Sequence, residues 1–178
     1  NILRMKHHAC ITMWCGDNED FLAMTWLPFT RDFQLTLREE YKKFNTFCKN
    51  LCLKFDPTKK WWPSSPCDGT GDYNGKWQDE HKGDLHYWEV WHGGKPFEQF
   101  FLIKPRFCSE FGFQSYSSLP LVKSFLPKDQ MNIFSESFSA HQKNPSGNTI
   151  IKNMFNHYFN EPKNFIHQLY LSQVQQSV

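Results

Sequence analysis

The segment Ala9-Cys10-Ile11-Thr12-Met13-Trp14-Cys15-Gly16-Asp17-Asn18-Glu19 decides the fold class. Its apolar run is short, stops at a glycine and gives way to polar residues. A run of this length without clean alternation reads as a strand buried on both faces, as in a parallel sheet covered by helices. Working outward, Phe33, Leu37, Tyr41, Phe44, Cys48, Leu51 and Phe55 recur at spacings of three and four. They mark one face of a long helix over residues 31–55, which Asp56-Pro57 stops. Lys60-Trp61-Trp62 reads as a short strand running into a Pro/Ser loop, and residues 67–83, rich in Gly, Asp, Asn and Lys, read as a loop. Residues 85–91 read as a strand ended by Gly93-Gly94, and 97–102 as a helical turn. A last strand at 106–109 is terminated by Glu110. Helices follow at 117–125, 128–141, 147–159 and 162–176, separated by Pro127, Asn144-Pro145-Ser146-Gly147 and Pro162. Strands alternating with helices argue an α/β fold with a parallel sheet, either part of a doubly wound sheet or part of a (β/α)8 barrel.

Composition narrows the function classes. The chain has 178 residues, about one domain's worth, with 20 basic and 18 acidic residues for a formal charge of +2. The basic residues are scattered, so no nucleic-acid footprint is expected. No apolar run approaches the ~20 residues of a membrane span, so no membrane partner is expected either. No targeting signal is visible, and the compartment stays open. The first residue is Asn1 and the last stretch is SQVQQSV, so both ends read as cut from a longer polypeptide. The six cysteines contain no CxxC pair, which disfavours zinc-ribbon and redox readings. They are expected to be mostly buried free thiols, with Cys48 and Cys52 on one helix face. No GxGxxG or Walker-type loop follows any strand, which removes the usual nucleotide signature. No metal or organic cofactor is implied.

Aromatic residues make up 17% of the chain, with eighteen Phe and seven Trp. Core packing accounts for many Phe. The tryptophans all stand at or before Trp91, mostly beside strand ends and loops. Large core side chains are one reading of them, and walls for the flat C–H faces of a sugar ring are the other. What clusters at the strand ends is polar and aromatic: Asp17-Asn18-Glu19, Trp62 and Ser64, His86 and Trp88, then Glu110. In barrels, function sits at the C-terminal ends of the strands. If the strands are parallel members of one barrel, Glu19 and Glu110 meet over one rim. Two carboxylates across a sugar site are the parts needed for glycoside hydrolysis. The plainer alternatives are solvated rim residues, or Glu110 paired with Arg106.

Four segments then carry a resemblance. Trp14-Cys15-Gly16-Asp17-Asn18-Glu19 looks like the W-x-G-N-N-E segment of the glycoside hydrolase family 2 β-mannosidases. Trp62-Pro63-Ser64-Ser65-Pro66 resembles their fifth-strand loop. Gly83-Asp84-Leu85-His86-Tyr87-Trp88-Glu89-Val90-Trp91 is similar to their G-D-x-H-Y-W-x-V-W segment, and the stretch from Pro105 to Ser115 to their nucleophile strand. The resemblance implies a partial (β/α)8 TIM barrel, strands four to seven, about the C-terminal half with the final strand missing, across all of residues 1–178. It implies Glu110 as nucleophile and Glu19 as acid/base of a retaining enzyme that removes terminal β-D-mannose. It implies substrate contacts from Asn18 to the 2-hydroxyl and from Trp26, His86 and Trp88 around the sugar. The expected partners are a β-mannoside and, in the full-length chain, the rest of the barrel and the preceding β-sandwich domains.

The family has Asn where this chain has Asp17. A carboxylate there raises the acid's pKa if the two side chains meet, and has no such effect if it points away. A half barrel has two unpaired sheet edges and an open core, so the isolated chain is expected to be a poor, inactive fold. The rival readings are a family 2 enzyme of another sugar specificity, and a non-catalytic carbohydrate-binding or interaction fragment of such a barrel.

Overall fold

The apolar run at 9–15 becomes a strand only at its end. The computed structural model describes residues 1–26, 34–69 and 78–178, with the backbone alone at 25, 26, 34 and 35. Phe33 and Trp77 therefore lie outside the described residues, as do the start of the expected long helix and much of the 67–83 loop. Two compact units make up the chain, Asn1–His86 with Lys104–Glu110, and Tyr87–Ile103 with Phe111–Val178.

In the first unit a short helix, Ile2–Met5 (α1), precedes β1, Met13–Cys15. This strand pairs in parallel with β2, Lys60–Trp62, in the register Met13–Lys60, Trp14–Trp61 and Cys15–Trp62. Parallel pairing needs a long crossover, and helices Asp20–Trp26 (α2) and Gln34–Phe55 (α3) lie within it. A bridge between Asn18 and Ser65 carries the pairing past the strand ends. The expectation of burial on both faces is corrected: Met13 is 47% exposed and Cys15 is exposed. Among the described residues this sheet has only two strands.

Helix α3 shows the expected period with its buried stripe displaced by one residue. Phe44 is exposed, and Tyr41, Asn45 and Cys52 are buried. A buried Asn is tolerated because its amide is satisfied. Its Nδ2 donates to Pro63 O at 2.7 Å, and its Oδ1 accepts from Trp61 Nε1 at 3.4 Å. Tyr41 joins Phe21, Met24 and Cys67 in one apolar cluster, with Leu37 and Trp62 packed against it. The helix ends where expected. Asp56 just beyond it is buried, and accepts from Trp14 Nε1 at 3.0 Å and from Thr58 Oγ1 at 2.7 Å. Among the described residues none of the six cysteines forms a disulfide; Cys52 and Cys67 are buried, whereas Cys10 and Cys15 are exposed, against expectation.

Strands β3, Leu85–Tyr87, and β4, Cys108–Phe111, form a second two-stranded sheet, with Leu85 N–H donating to Phe107 O at 3.0 Å. Both are displaced from expectation. The strand expected at 85–91 stops at Tyr87, because Trp88 O accepts from His92 N–H and Gly93 N–H and closes a turn. The strand expected at 106–109 starts later, because Arg106 N–H is drawn away to Glu80 O at 3.1 Å. Glu110 thus lies within the strand rather than terminating it. The α/β class stands. The single parallel sheet of a barrel segment is not formed among the described residues, whose four strands make two separate pairs.

One loop position before β3 is tightly constrained. Gly83 has φ +62°, and a Cβ there would lie 1.8 Å from Cys67 O. The left-handed conformation alone costs an L residue roughly 1–2 kcal/mol, and the clash adds to it. Gly83→Ala is expected to lower the unfolding free energy by at least about 2 kcal/mol in chemical denaturation.

The second unit is packed by aromatic edges and helices. Phe113 meets Trp91 and Phe97 edge-on at centroid distances of 4.9 and 5.3 Å. Phe97, in the 3-10 turn Phe97–Phe101, stacks on Tyr158, whose hydroxyl accepts from Phe97 N–H and donates to Glu98. Helices Leu119–Phe125 (α4), Glu136–His141 (α5), Gly147–Tyr158 (α6) and Phe165–Gln176 (α7) follow. The helix expected at 128–141 is split into a 3-10 turn, Lys128–Gln130, and α5. Ser135 Oγ caps the latter by accepting from Phe138 N–H at 3.2 Å. Helix α7 begins after Pro162, with Asn164 Oδ1 accepting from His167 N–H at 3.0 Å.

Candidate active site

The chemistry of the first unit gathers where β1, β2, β3 and β4 end. Glu19 directly precedes α2 and has φ +62°, outside the usual range for a residue with a side chain. Its N–H donates to Ser65 O at 2.8 Å, and its carbonyl accepts the first helical bond, from Ala23 N–H. Chain pairing on one side and the helix on the other thus hold a conformation that costs of order 1–3 kcal/mol, of the kind that collects at functional sites. Glu110 lies on β4, on the half-buried side of its alternating pattern.

His86, on β3, joins them. Its side chain is 1% exposed, with Nδ1 2.8 Å from Glu19 Oε1 and 3.3 Å from Glu110 Oε2. One donor atom from each of the three lies within 4.8 Å of the others, close enough to bracket a cation. His86 Nδ1 is at hydrogen-bond distance from Glu19 and also close to Glu110, so the imidazole links the two carboxyl groups. On the opposite side of the ring, Nε2 is 3.0 Å from Ser65 Oγ. The Gln78 side-chain amide also donates to His86 O.

Behind His86 stands Asp84, a carboxylate that the sequence reading passed over. Oδ2 accepts from Ser65 Oγ at 2.5 Å and Ser109 Oγ at 2.7 Å, and Oδ1 from Trp62 Nε1 and Cys67 N–H, both at 3.0 Å. Burial pushes its carboxyl up, but these hydrogen bonds outweigh that and hold it below the usual carboxylate range. A depressed folded-state value means that Asp84 contributes stability above about pH 4, where unfolded Asp ionises. That contribution is lost as pH falls through the lower folded value. Asp84→Asn is therefore expected to lower stability at pH 7 and to shrink the stability lost on acidification, read from urea midpoints across that range. The signal was present in the sequence, since residues 84 and 86 alternate onto one strand face.

The remaining expected residues fall as follows. Asp17 is turned to Tyr41 Oη at 2.6 Å and Ser64 Oγ at 2.5 Å, both of which donate to it. It ties the loop to α3 and to the Ser-Pro segment. Asn18 is exposed beside Glu19. Trp26 ends α2, and its side chain lies outside the described residues. Trp88 lies beyond β3, in the second unit. There it lines a cavity of about 450 Å³ with Trp91, His92, Phe111, Gln114 and His141. Arg106 makes no ion pair with Glu110 among the described residues, and lines a different cavity with Trp62, Lys82 and Phe107.

No protein-family profile matches the chain. It is 29% identical over 136 residues to Beta-mannosidase B of Thermothelomyces thermophilus, covering 71% of the chain and 15% of that protein. It is 28% identical over 138 residues to Beta-mannosidase B of Aspergillus clavatus, covering 72% and 16%. Its structure matches the β-D-mannosidase from Dictyoglomus thermophilum with a TM-score of 0.78 and 27% identity, over 98% of the chain and 21% of that protein. The chain thus spans about a sixth of the length of these curated relatives and about a fifth of the solved one. The sequence matches and the shared fold agree: over most of its length the chain is similar to β-mannosidases.

Proposed function

We propose that the protein carrying this chain is a retaining glycosidase that releases terminal β-D-mannose from β-mannosides. The observation that supports this most is the approach of the two carboxylates, with one oxygen of Glu19 within 4.8 Å of one of Glu110. Retaining enzymes hold their carboxyl groups about 5–5.5 Å apart and inverting ones roughly 6.5–9.5 Å. Glu110 attacks the anomeric carbon while Glu19 protonates the departing oxygen, and the glycosidic C–O bond breaks. In the second step Glu19 takes a proton from water, which attacks the same carbon and releases Glu110. No metal or organic cofactor enters this scheme. Asn18, exposed next to Glu19, is assigned to the sugar's 2-hydroxyl, and Trp26 to an apolar wall. His86 acts at the rim of the subsite through both carboxylates.

In this reading the chain contributes strands four to seven of a (β/α)8 barrel. The rest of that barrel and the β-sandwich domains are its partners, and the isolated chain is inactive. Phe107 and Phe111 on and beside β4 are 65% and 61% exposed, as expected of surface that the rest of a barrel covers. The test is hydrolysis of an aryl β-mannoside by the intact protein, followed by proton NMR of the first product. β-Mannose released before mutarotation is expected. α-Mannose as the first product overturns the mechanism, and cleavage of a β-glucuronide or β-galactoside in preference overturns the specificity.

A further inference from the structure

We infer that Asp17 is a positioning residue for Glu19, acting through the hydroxyl groups of Tyr41 and Ser64 to fix the backbone that presents the acid/base carboxyl. The catalytic part of this inference rests on the glycosidase reading. The chain from 16 to 19 runs along the segment 62–65 and exchanges hydrogen bonds with it. Gly16 N–H donates to Trp62 O at 2.9 Å, Ser65 N–H to Asp17 O at 3.1 Å, and Glu19 N–H to Ser65 O at 2.8 Å. Glu19 is the last rung, and its φ of +62° is a conformation that persists only where the surrounding structure holds it. A rung at the end of a strand pair is also the one that opens most readily.

The side chain of Asp17 closes that end. Its Oδ2 accepts from Tyr41 Oη at 2.6 Å and its Oδ1 from Ser64 Oγ at 2.5 Å, so each oxygen is bound to a different segment. Both contacts are short for O–H···O hydrogen bonds, whose usual distance is about 2.7–2.8 Å. Both donor residues are buried, so water is no substitute for Asp17 as their acceptor. Tyr41 also reaches the other side of Glu19. Its ring stacks on Phe21, two residues beyond, with centroids 6.1 Å apart and planes 14° apart. The hydroxyl thus fixes position 17 and the ring position 21, and one residue of α3 brackets Glu19. Placement is what a general acid needs, since a misplacement of about 1 Å can cost about 10²-fold in rate. With both oxygens of Asp17 turned to hydroxyl donors, the tether and not the charge is what Glu19 requires.

The test uses the intact protein and two β-mannosides, one with a poor leaving group and one with dinitrophenolate, whose departure needs no proton. The ratio kcat/KM reports the steps up to the glycosyl-enzyme. Asp17→Ala is expected to lower it about 10²-fold for the poor leaving group and less than about threefold for the dinitrophenyl mannoside. Asp17→Asn keeps the shape and an acceptor oxygen, and should stay within about threefold of wild type on both. Tyr41→Phe keeps the ring on Phe21 and removes the hydroxyl alone. It should give part of the Asp17→Ala loss with the same dependence on leaving group, and add nothing in the Asp17→Ala background. Hydrogen exchange at the Glu19 amide, read by mass spectrometry with residue-level fragmentation, should be about tenfold faster in Asp17→Ala, with exchange in β3 unchanged. A folded Asp17→Ala protein that loses nothing, that loses equally on both substrates, or that exchanges at Glu19 as slowly as wild type overturns the inference. So does an Asp17→Asn protein as slow as Asp17→Ala, because the charge is then the requirement. Wild-type protein that leaves β-mannosides intact overturns the functional reading alone, since exchange at Glu19 still decides whether Asp17 holds it.

Discussion

Glu110→Gln is expected to lower kcat for an aryl β-mannoside by roughly 10⁴- to 10⁶-fold, the range that follows loss of an attacking nucleophile. The substitution is close to isosteric. The amide oxygen can still accept from His86 Nδ1, which lies 3.3 Å from Glu110 Oε2 in the wild type, so the local packing is kept. What is removed is the capacity to form a bond to the anomeric carbon, and KM should change far less than kcat. Glu110→Ala gives the complementary result, because it opens room for azide to attack from the same side. The expected product is the α-mannosyl azide, formed by one inversion from a substrate with an activated leaving group. A Glu110→Gln protein within tenfold of wild-type turnover would remove Glu110 from the nucleophile's role.

Glu19→Ala is expected to divide substrates by their leaving groups. For a mannoside with a poor leaving group, kcat should fall by about 10²- to 10⁴-fold, the usual contribution of a general acid. For a dinitrophenyl mannoside the first step needs no proton, so the glycosyl-enzyme accumulates and a burst of phenolate precedes slow release. Azide added to this variant should yield the β-mannosyl azide, after two inversions at one carbon. The opposite azide products from the Glu19 and Glu110 variants assign the two roles independently of any rate. The backbone at 19 has φ +62° with the native side chain, so alanine adds no strain that glutamate lacks. A Glu19→Ala protein slowed equally on both substrates would instead point to a structural defect.

Both residues were legible in the sequence because each stands at the polar end of an apolar run and within a motif. The cluster they form was not. His86 reads from the sequence as a sugar-lining residue, yet its ring is 1% exposed and its nitrogens face Glu19, Glu110 and Ser65. Asp84 was missed because a carboxylate two residues before a histidine gains meaning only when Ser65, Ser109, Trp62 and Cys67 converge on it from other segments. The buried stripe of α3 slid one residue because hydropathy cannot anticipate that Pro63 O and Trp61 Nε1 satisfy Asn45 inside the core. Strand limits moved for a similar reason, since Arg106 N–H and Trp88 O are claimed by loop partners that no local pattern reveals.

By itself the sequence determined the α/β class, the long helix and its stop at Asp56 and the break at Pro162, and it singled out the two carboxylates of the candidate site. These depend on periodicity, on proline's missing donor and on residue chemistry, all of which are local. Only the tertiary structure decided where Asp17 points, how the strands pair and that His86 joins Glu19 to Glu110. Those outcomes depend on hydrogen-bond partners far away along the chain, up to 67 residues for His86 and Glu19, and a donor's choice among distant acceptors is set by the folded geometry.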